Sequence, residues 1–298
     1  MSETVTHRGI LVGVDGSAAS KAAVAWATRD AAMRNISLTL VHVVVPVVPT
    51  SSVSPEFAFP ADFFKWQEDQ AVRVLEDARD VVAEVSRDAS PPLVHSVVVL
   101  HGGAVATLVD LSKDADMIVV GARGMGAFSR ALLGSVSTSL VHHRHCPVAV
   151  IHEDAPDVGA DAPVLVGIDG SPASLSATEV AFDEASRRGV DLVALHAWRD
   201  LTTMYELPGL DVGQLEDEAK LALSERIAGF QERYPDVKVH RIVVSDQPSR
   251  QLVENAKDAQ LVVVGSHGRG GFAGMLPRSV GTAIVHAGKS PAIVARHG

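Results

Sequence analysis

The residues best suited to chemistry in this sequence form a glycine-rich segment that is followed by a serine. Gly121, Gly124 and Gly126 lie close together, and Gly134 directly precedes Ser135, so the spacing is G-x2-G-x9-G-S. Glycine lets a backbone approach phosphate oxygens closely, and the free N–H groups at the start of a helix attract an anion. A glycine loop that leads into a helix N-terminus therefore predicts a phosphate-binding site.

A second chemical feature is an acidic turn near the start of the chain. Gly13, Val14 and Asp15 are followed by Gly16 and Ser17. One interpretation is a strand-to-helix turn in which Ser or Asp caps the next helix. The other is a ligand contact. The glycine loop favours a ligand contact in addition to the cap, because both features follow predicted strands.

The sequence repeats itself, and both features occur in each copy. ILVGVDGSAAS at 10–20 recurs as VLVGIDGSPAS at 164–174, and LSKDADMIVVGARG at 111–124 recurs as NAKDAQLVVVGSHG at 255–268. Self-similarity of this kind indicates two copies of one structural unit. We predict a first domain at 1–152, a linker at 153–163 that is acidic and contains two prolines, and a second domain at 164–298.

Composition limits the classes of partner. The net charge is -10 and the chain has one cysteine, Cys146. An acidic protein is a poor non-specific ligand for nucleic acid or anionic membranes, and one cysteine excludes an intrachain disulfide. We find no signal peptide and no apolar run long enough to span a bilayer, which predicts a cytoplasmic protein.

The elements that position these residues alternate between apolar strands and helices. Continuous apolar runs are typical of strands that are buried on both faces of a parallel sheet. We predict α/β architecture: two tandem doubly wound five-stranded parallel sheets in a flavodoxin- or Rossmann-like order, with helices on both faces. The strands are predicted at 10–14, 38–44, 94–99, 117–121, 148–151, 164–168, 191–197, 239–244, 261–265 and 292–295. Ligands of such sheets bind beyond the carboxyl ends of the strands.

The glycine spacing together with V-G-V-D-G-S resembles the ATP-binding universal stress proteins, and the tandem arrangement is similar to two-domain members from actinobacteria. The resemblance implies a stress-response or regulatory protein that binds ATP, with Mg²⁺, and it implies contacts of Asp15 and Val14 with ribose and adenine. The implied positions of the first copy are Gly13, Val14, Asp15, Val43, Gly121, Gly124, Gly126, Gly134, Ser135 and Val136. Those of the second copy are Gly167, Ile168, Asp169, Gly265, Gly268, Gly270, Ser279 and Val280.

The second copy departs from the pattern at one place. Where the first copy has Gly134, the second has Arg278, preceded by Pro277. Proline removes a backbone donor, whereas an arginine guanidinium can bind phosphate bidentately. We predict a second site that is altered and weaker.

Several alternatives stay open at this level. The sequence shows no committed catalytic or metal-binding set, so an enzyme of adenylate chemistry and a scaffold with a structural nucleotide are the competing functions. The aromatic segment at 46–64 is either a lid over the nucleotide or a loop packed on protein. The last strands of the two copies are predicted to pair, because an uncovered apolar edge invites aggregation. A homodimer and the identity of a protein partner are also left open.

Overall fold

The computed structural model describes residues 9–46, 61–125, 133–197, 212–266 and 280–296. Packing divides the chain into two compact units, Met1–Cys146 and Pro147–Gly298. Each unit has parallel strands covered by helices, as the alternating sequence pattern predicts. Within the described ranges, no helix is both long and apolar enough to cross a membrane.

The first unit is built on four parallel strands in the order β3-β2-β1-β4. The strands are β1 (Ile10–Gly13), β2 (Leu38–Val44), β3 (His95–His101) and β4 (Met117–Gly121). The helices are α1 (Ala18–Arg34), α2 (Ala61–Val85), α3 (Ala104–Leu111) and α4 (Ser135–His143). Helix α1 packs on α2, and α3 packs on α4. The chain turns from β1 to β2 on one side and reaches β4 on the other, so β1 and β4 flank the point where the strand order reverses.

The second unit has six strands in the order β5-β10-β9-β6-β7-β8. The strands are β5 (Val148–Ile151), β6 (Val164–Gly167), β7 (Leu192–Ala197), β8 (Val239–Val244), β9 (Leu261–Gly265) and β10 (Ala292–Ala295). The helices are α5 (Pro172–Arg188), α6 (Val212–Arg233), α7 (Pro248–Asn255) and α8 (Val280–Ala287), with a short 3-10 helix at Ala256–Asp258. Strand β5 is antiparallel to β10, and the other pairs are parallel.

Strand β5 belongs to the first copy by sequence but packs in the second unit. Its register places Val150 opposite Ala292 and Val148 opposite Val294. The predicted pairing of the two last strands is therefore observed. Beyond β5, the buried His152 lies 3.1 Å through Nε2 from the carbonyl oxygen of Val285, which extends the contact into α8.

Burial and capping explain why these segments fold as they do. The side chains of β1 and β4 are almost entirely buried, as expected for strands covered on both faces. Helix α1 begins after Ser17, whose Oγ accepts a hydrogen bond from the Ser20 N–H, and ends at Asn35 with φ 52°. Helix α5 repeats this arrangement with Ser171 as its N-cap and Gly189 as its C-cap. The caps fix where each helix starts, directly after the acidic turns.

Candidate functional site

A cavity of about 410 Å³ lies at the carboxyl ends of β1, β2 and β4 in the first unit. Helices α3 and α4 also contribute to its described wall, through residues that include Ala104, Leu108 and Ser137. The structure brings nine of the positions predicted from the sequence to this one cavity. They are Gly13, Val14, Asp15, Val43, Gly121, Gly124, Gly134, Ser135 and Val136. The tenth, Gly126, lies outside the described residues, as does most of the aromatic segment at 46–64.

Asp15 connects the acidic turn to the glycine loop. Its Oδ1 accepts hydrogen bonds from the Ser17 N–H at 3.0 Å and the Ser17 hydroxyl at 2.6 Å. Its Oδ2 accepts from the Met125 N–H at 3.0 Å. Ser17 adds a second link, because its Oγ lies 3.3 Å from the carbonyl oxygen of Arg123. The carboxylate therefore holds the start of the glycine loop beside β1, and it keeps spare lone-pair capacity for one more donor.

The glycines of the motif are required for different physical reasons. A Cβ on Gly121 would lie 2.7 Å from the backbone carbon of Ala19, so this glycine permits the close packing of β4 against α1. A Cβ on Gly124 would lie 2.5 Å from Asp15 Oδ2. A Cβ on Gly134, in contrast, would meet only ordinary contacts at 3.5 Å and beyond. Among the residues that the structure describes, nothing requires glycine at position 134.

Gly134 is the N-cap of α4 and has φ -77° and ψ 161°, which other residues adopt easily. The start of this helix is tied to the loop, because the Gly134 N–H and the Ser137 hydroxyl both donate to the carbonyl oxygen of Ala122, at 2.8 and 2.9 Å. With glycine as the cap, the N-cap residue offers no side-chain acceptor to the N–H groups of the first turn, which have no acceptor inside the helix. These groups open on the cavity through Ser135 and Val136.

Among the lining residues that the sequence analysis did not predict, two have side chains that can carry a positive charge. His42, on β2, lies with Nδ1 2.7 Å from the carbonyl oxygen of Val14. Arg123 lies between the glycines of the loop, and its guanidinium has no hydrogen-bond or ion-pair partner within the described ranges. A signal for the histidine existed, since the second copy has His196 at the equivalent position. The arginine had no such signal, because its counterpart is His267.

The charges of the described cavity wall are Asp15 and Arg123. Asp15 is hydrogen-bonded to the loop, whereas Arg123 and the helix N-terminus are available to a ligand. As far as the described residues show, the loop end of the cavity thus offers an unpaired cation and unused N–H donors. That combination suits an oxyanion, and phosphate in particular.

The second unit preserves the framework of this site. Asp169 Oδ1 accepts from the Ser171 N–H at 2.8 Å, and His196 Nδ1 lies 2.6 Å from the carbonyl oxygen of Ile168. A Cβ on Gly265 would lie 2.7 Å from the backbone carbon of Ala173, as for Gly121 in the first copy. Gly167 ends β6, and Val280 begins α8.

The remaining predicted positions of the second copy are not among the residues that the structure describes. Gly268, Gly270 and Ser279 lie outside the described residues, together with Pro277 and Arg278. One described difference between the units concerns the glycine after the acid. A Cβ on Gly170 would lie 2.6 Å from the Arg226 guanidinium, whereas a Cβ on Gly16 would lie 3.1 Å from Val74.

Fold and cavity together define a doubly wound α/β protein whose candidate ligand site lies at the switch point and is lined by a glycine loop and a helix N-terminus. The model described as "Universal stress protein family" matches residues 6–152 and 162–296. The chain belongs to the universal stress protein family, and it contains two copies of the family's domain in tandem.

Curated relatives match along the whole chain. The chain is 52% identical over 298 residues to universal stress protein Rv2623 of Mycobacterium tuberculosis, covering 99% of each chain. It is 52% identical over 299 residues to universal stress protein Rv2005c of the same species, again covering 99% of each. The crystal structure of a universal stress protein from Archaeoglobus fulgidus aligns with a TM-score of 0.71 at 20% identity, covering 98% of this chain and 100% of that one. This structural likeness confirms the fold.

Proposed function

We propose that the first copy binds a nucleoside triphosphate, ATP with Mg²⁺, in the cavity, and that the protein acts as an ATP-binding regulator in a stress response. The observation that carries this proposal is Gly134. Neither its backbone angles nor its surroundings require glycine, and it caps a helix whose free N–H groups open on the cavity. A glycine that the fold does not need is explained by a ligand that must approach the backbone closely.

The two ends of the cavity differ in character, and the difference fits a nucleotide. The loop end has Arg123 and the start of α4, whereas the end at β2 and α3 has Val41, Val43 and Leu108. Strand β1 lies between β2 and β4, so the two ends are separated by two strand spacings, about 10 Å. Phosphates at the loop end would place a base against the apolar wall, with the ribose near Asp15.

The described residues would not hold a magnesium ion by themselves. Within the described ranges there is no group of three or more His, Cys, Asp or Glu side chains that could bind a metal. Magnesium in nucleotide sites is commonly held by phosphate oxygens and water, with few protein ligands. We therefore expect Mg²⁺ to enter with the nucleotide and to neutralise part of its charge. The Ser135 hydroxyl is the oxygen ligand that the α4 end of the cavity could add.

The test is a pair of matched substitutions at two uncapped helices. Gly134→Ser places a hydroxyl on the α4 N-cap, where it would accept from the N–H groups that a phosphate needs. Gly103→Ser does the same on α3, whose N-cap is also an uncapped glycine with open space around it. Serine is a slightly better N-cap than glycine, by a few tenths of a kcal/mol, so both variants should fold.

Calorimetric titration with Mg-ATP should show clearly weaker binding for Gly134→Ser and unchanged binding for Gly103→Ser. Mass spectrometry of small molecules that co-purify with the wild type supplies an independent check on the identity of the nucleotide. Wild-type affinity for ATP in the Gly134→Ser variant would show that no phosphate lies at this helix.

A further inference from the structure

Strand β3 forms one edge of the sheet in the first unit. It pairs with β2 and, among the described strands, with no other. The Val94 carbonyl oxygen accepts from the Leu38 N–H, and the Gly102 N–H donates to the carbonyl oxygen of Val44. Because successive residues of a strand face alternate sides, the even-numbered residues of β3 direct their backbone groups towards β2. The N–H and C=O groups that face away from β2 are those of His95, Val97, Val99 and His101.

The β3 edge, residues 95–101 with their outward backbone groups, lacks the charged side chains that usually keep strands of different molecules apart. The sequence has no Asp, Glu, Lys or Arg between Asp88 and Asp110. The outer strand of the second unit differs, because β8 follows Lys238 and contains Arg241, which is the counterpart of Val97 in the repeat. The second copy thus places cations at its edge, and the first copy does not.

The sequence of the β3 edge is nearly its own reverse. It reads HSVVVLH, and reversal changes it only by exchanging Ser96 with Leu100. Such a strand presents nearly the same residues to a second copy that runs in the opposite direction. An unrelated peptide would place no such requirement on the sequence, so the pattern favours a second copy of this chain as the partner.

An antiparallel pair centred on Val98 uses every outward backbone group of the β3 edge. In this register His95 lies opposite His101 of the second copy, and Val97 lies opposite Val99. Their N–H and C=O groups face outwards, so each of these pairs can exchange two hydrogen bonds, as in an antiparallel ladder. Val98 meets its own copy at a position without hydrogen bonds, where side chains approach most closely. A register shifted by one residue would set outward groups against inward ones and leave them unpaired.

Helix α2 adds exposed apolar surface beside the β3 edge. Glu68 Oε1 lies 2.6 Å from His101 Nε2, so this part of α2 borders the end of β3. Phe64 and Val72 lie one turn before and one turn after Glu68, and they are 52% and 50% exposed. These apolar side chains extend the surface that a second copy would bury.

We propose that the protein forms a homodimer in which the β3 strands of two copies pair antiparallel about Val98. Each copy carries a net charge of -10, which opposes association through most of the surface. The β3 edge contains no carboxylate, so two copies can meet there without bringing their negative charges together.

Sedimentation velocity over a range of protein concentrations, in slightly alkaline buffer, measures the association. Val99→Pro removes an outward N–H and leaves the bonds to β2 in place, because proline is tolerated on an edge strand where its nitrogen faces solvent. Val243→Pro is the matched control on β8. There the Lys238 carbonyl oxygen accepts from the Leu192 N–H, so Val243 faces away from β7 as Val99 faces away from β2. Val97→Arg is a second variant, which introduces the residue of the second copy, and thermal melts establish that each variant is folded.

The wild type and Val243→Pro should sediment as dimers in reversible equilibrium with monomers. Val99→Pro and Val97→Arg should dimerise at least about tenfold more weakly, because the first removes two hydrogen bonds per dimer and the second places two cations in the interface. A wild type that remains monomeric at its highest soluble concentration would overturn the inference. Dimerisation of folded Val97→Arg with wild-type affinity would overturn it too, whatever the stability of Val99→Pro.

A cross-link tests the register of the pair. Val98 is the residue that meets its own copy, so Val98→Cys should form a disulfide-linked dimer when an oxidant is added. Ser96→Cys is the control, because residue 96 lies on the same face of β3 but opposite Leu100. The native Cys146 is buried and should not compete. Equal cross-linking of the two variants, or none with Val98→Cys, would contradict pairing about Val98.

Discussion

Replacement of Gly124 by alanine perturbs the cavity through one defined clash. The added Cβ would lie 2.5 Å from Asp15 Oδ2. That oxygen already accepts from the Met125 N–H, and the other carboxylate oxygen accepts twice from Ser17. The carboxylate cannot rotate away without stretching these bonds, so either the loop or the acidic turn must shift.

The size of the effect follows from the bonds that the shift would break. A hydrogen bond to a charged group contributes about 1.5–3 kcal/mol when buried. Met125 is largely exposed, so the loss in folding free energy should be about 1 kcal/mol or less. Binding should suffer more, because the loop must then be reordered by the ligand. A cost of about 1.5–3 kcal/mol corresponds to roughly ten- to hundredfold weaker ATP binding.

The assay is calorimetric titration with Mg-ATP on Gly124→Ala, on wild type and on Gly103→Ala. The last variant is the control, because a Cβ on Gly103 meets nothing within 4 Å and its φ of -76° suits alanine. Chemical denaturation of the same three proteins measures the change in folding free energy. Equal ATP affinity for Gly124→Ala and the wild type would show that the link between Asp15 and the loop does not shape the site. A decrease in the free energy of unfolding well above about 1 kcal/mol would contradict the expectation that this exposed hydrogen bond contributes little to stability.

Three other predictions concern charge and asymmetry. Burial raises the pKa of the Cys146 thiol from 9.0 to about 12. Because the folded form favours the neutral thiol, the free energy of unfolding should decline as pH rises between these values. A thiol reagent should label Cys146 only after unfolding. A hydrogen bond from His240 lowers the pKa of Asp191 from 3.8. The pair therefore stabilises the fold above that pH and loses its effect as pH falls below it. His240→Ala should reduce the loss of unfolding free energy at acid pH, as measured by denaturation, and an unchanged loss would contradict the assignment. Titration of the wild type should show one strong and one weaker ATP site, and Arg278→Gly should strengthen the weaker one; two equal sites would refute this.

The fold could be predicted from the sequence because its elements are marked locally. Buried parallel strands read as continuous apolar runs, and β2, β4 and β5 have the predicted ends. The N-cap serines Ser17 and Ser171 likewise mark the starts of α1 and α5 in the sequence. The repeat alone does not show that β5 packs with the second unit; the pairing of the two last strands was predicted instead from the apolar edge that each would otherwise leave uncovered.

The candidate site could be predicted where a local sequence motif marks it, but not where it depends on contacts between strands that are distant in sequence. The glycine spacing placed the loop and the start of α4 at the cavity. The hydrogen bond from the Met125 N–H to Asp15 joins residues 110 apart, and the bond from His42 to the Val14 carbonyl oxygen crosses between strands. Such contacts form only when β1, β2 and β4 are side by side. His42 and Arg123 therefore gained their importance from the structure.

The spacing of a glycine motif also conceals which glycines serve the fold and which serve the ligand. Gly121 and its counterpart Gly265 are both packed against a helix backbone. A Cβ added to either glycine would lie 2.7 Å from a backbone carbon of that helix. The fold demands them, and both copies have them. No described residue demands glycine at position 134, and the second copy has Arg278 in its place. The second copy therefore keeps the glycine that packing requires and replaces the one that the described packing does not require, which is the pattern expected if Gly134 serves the proposed ligand.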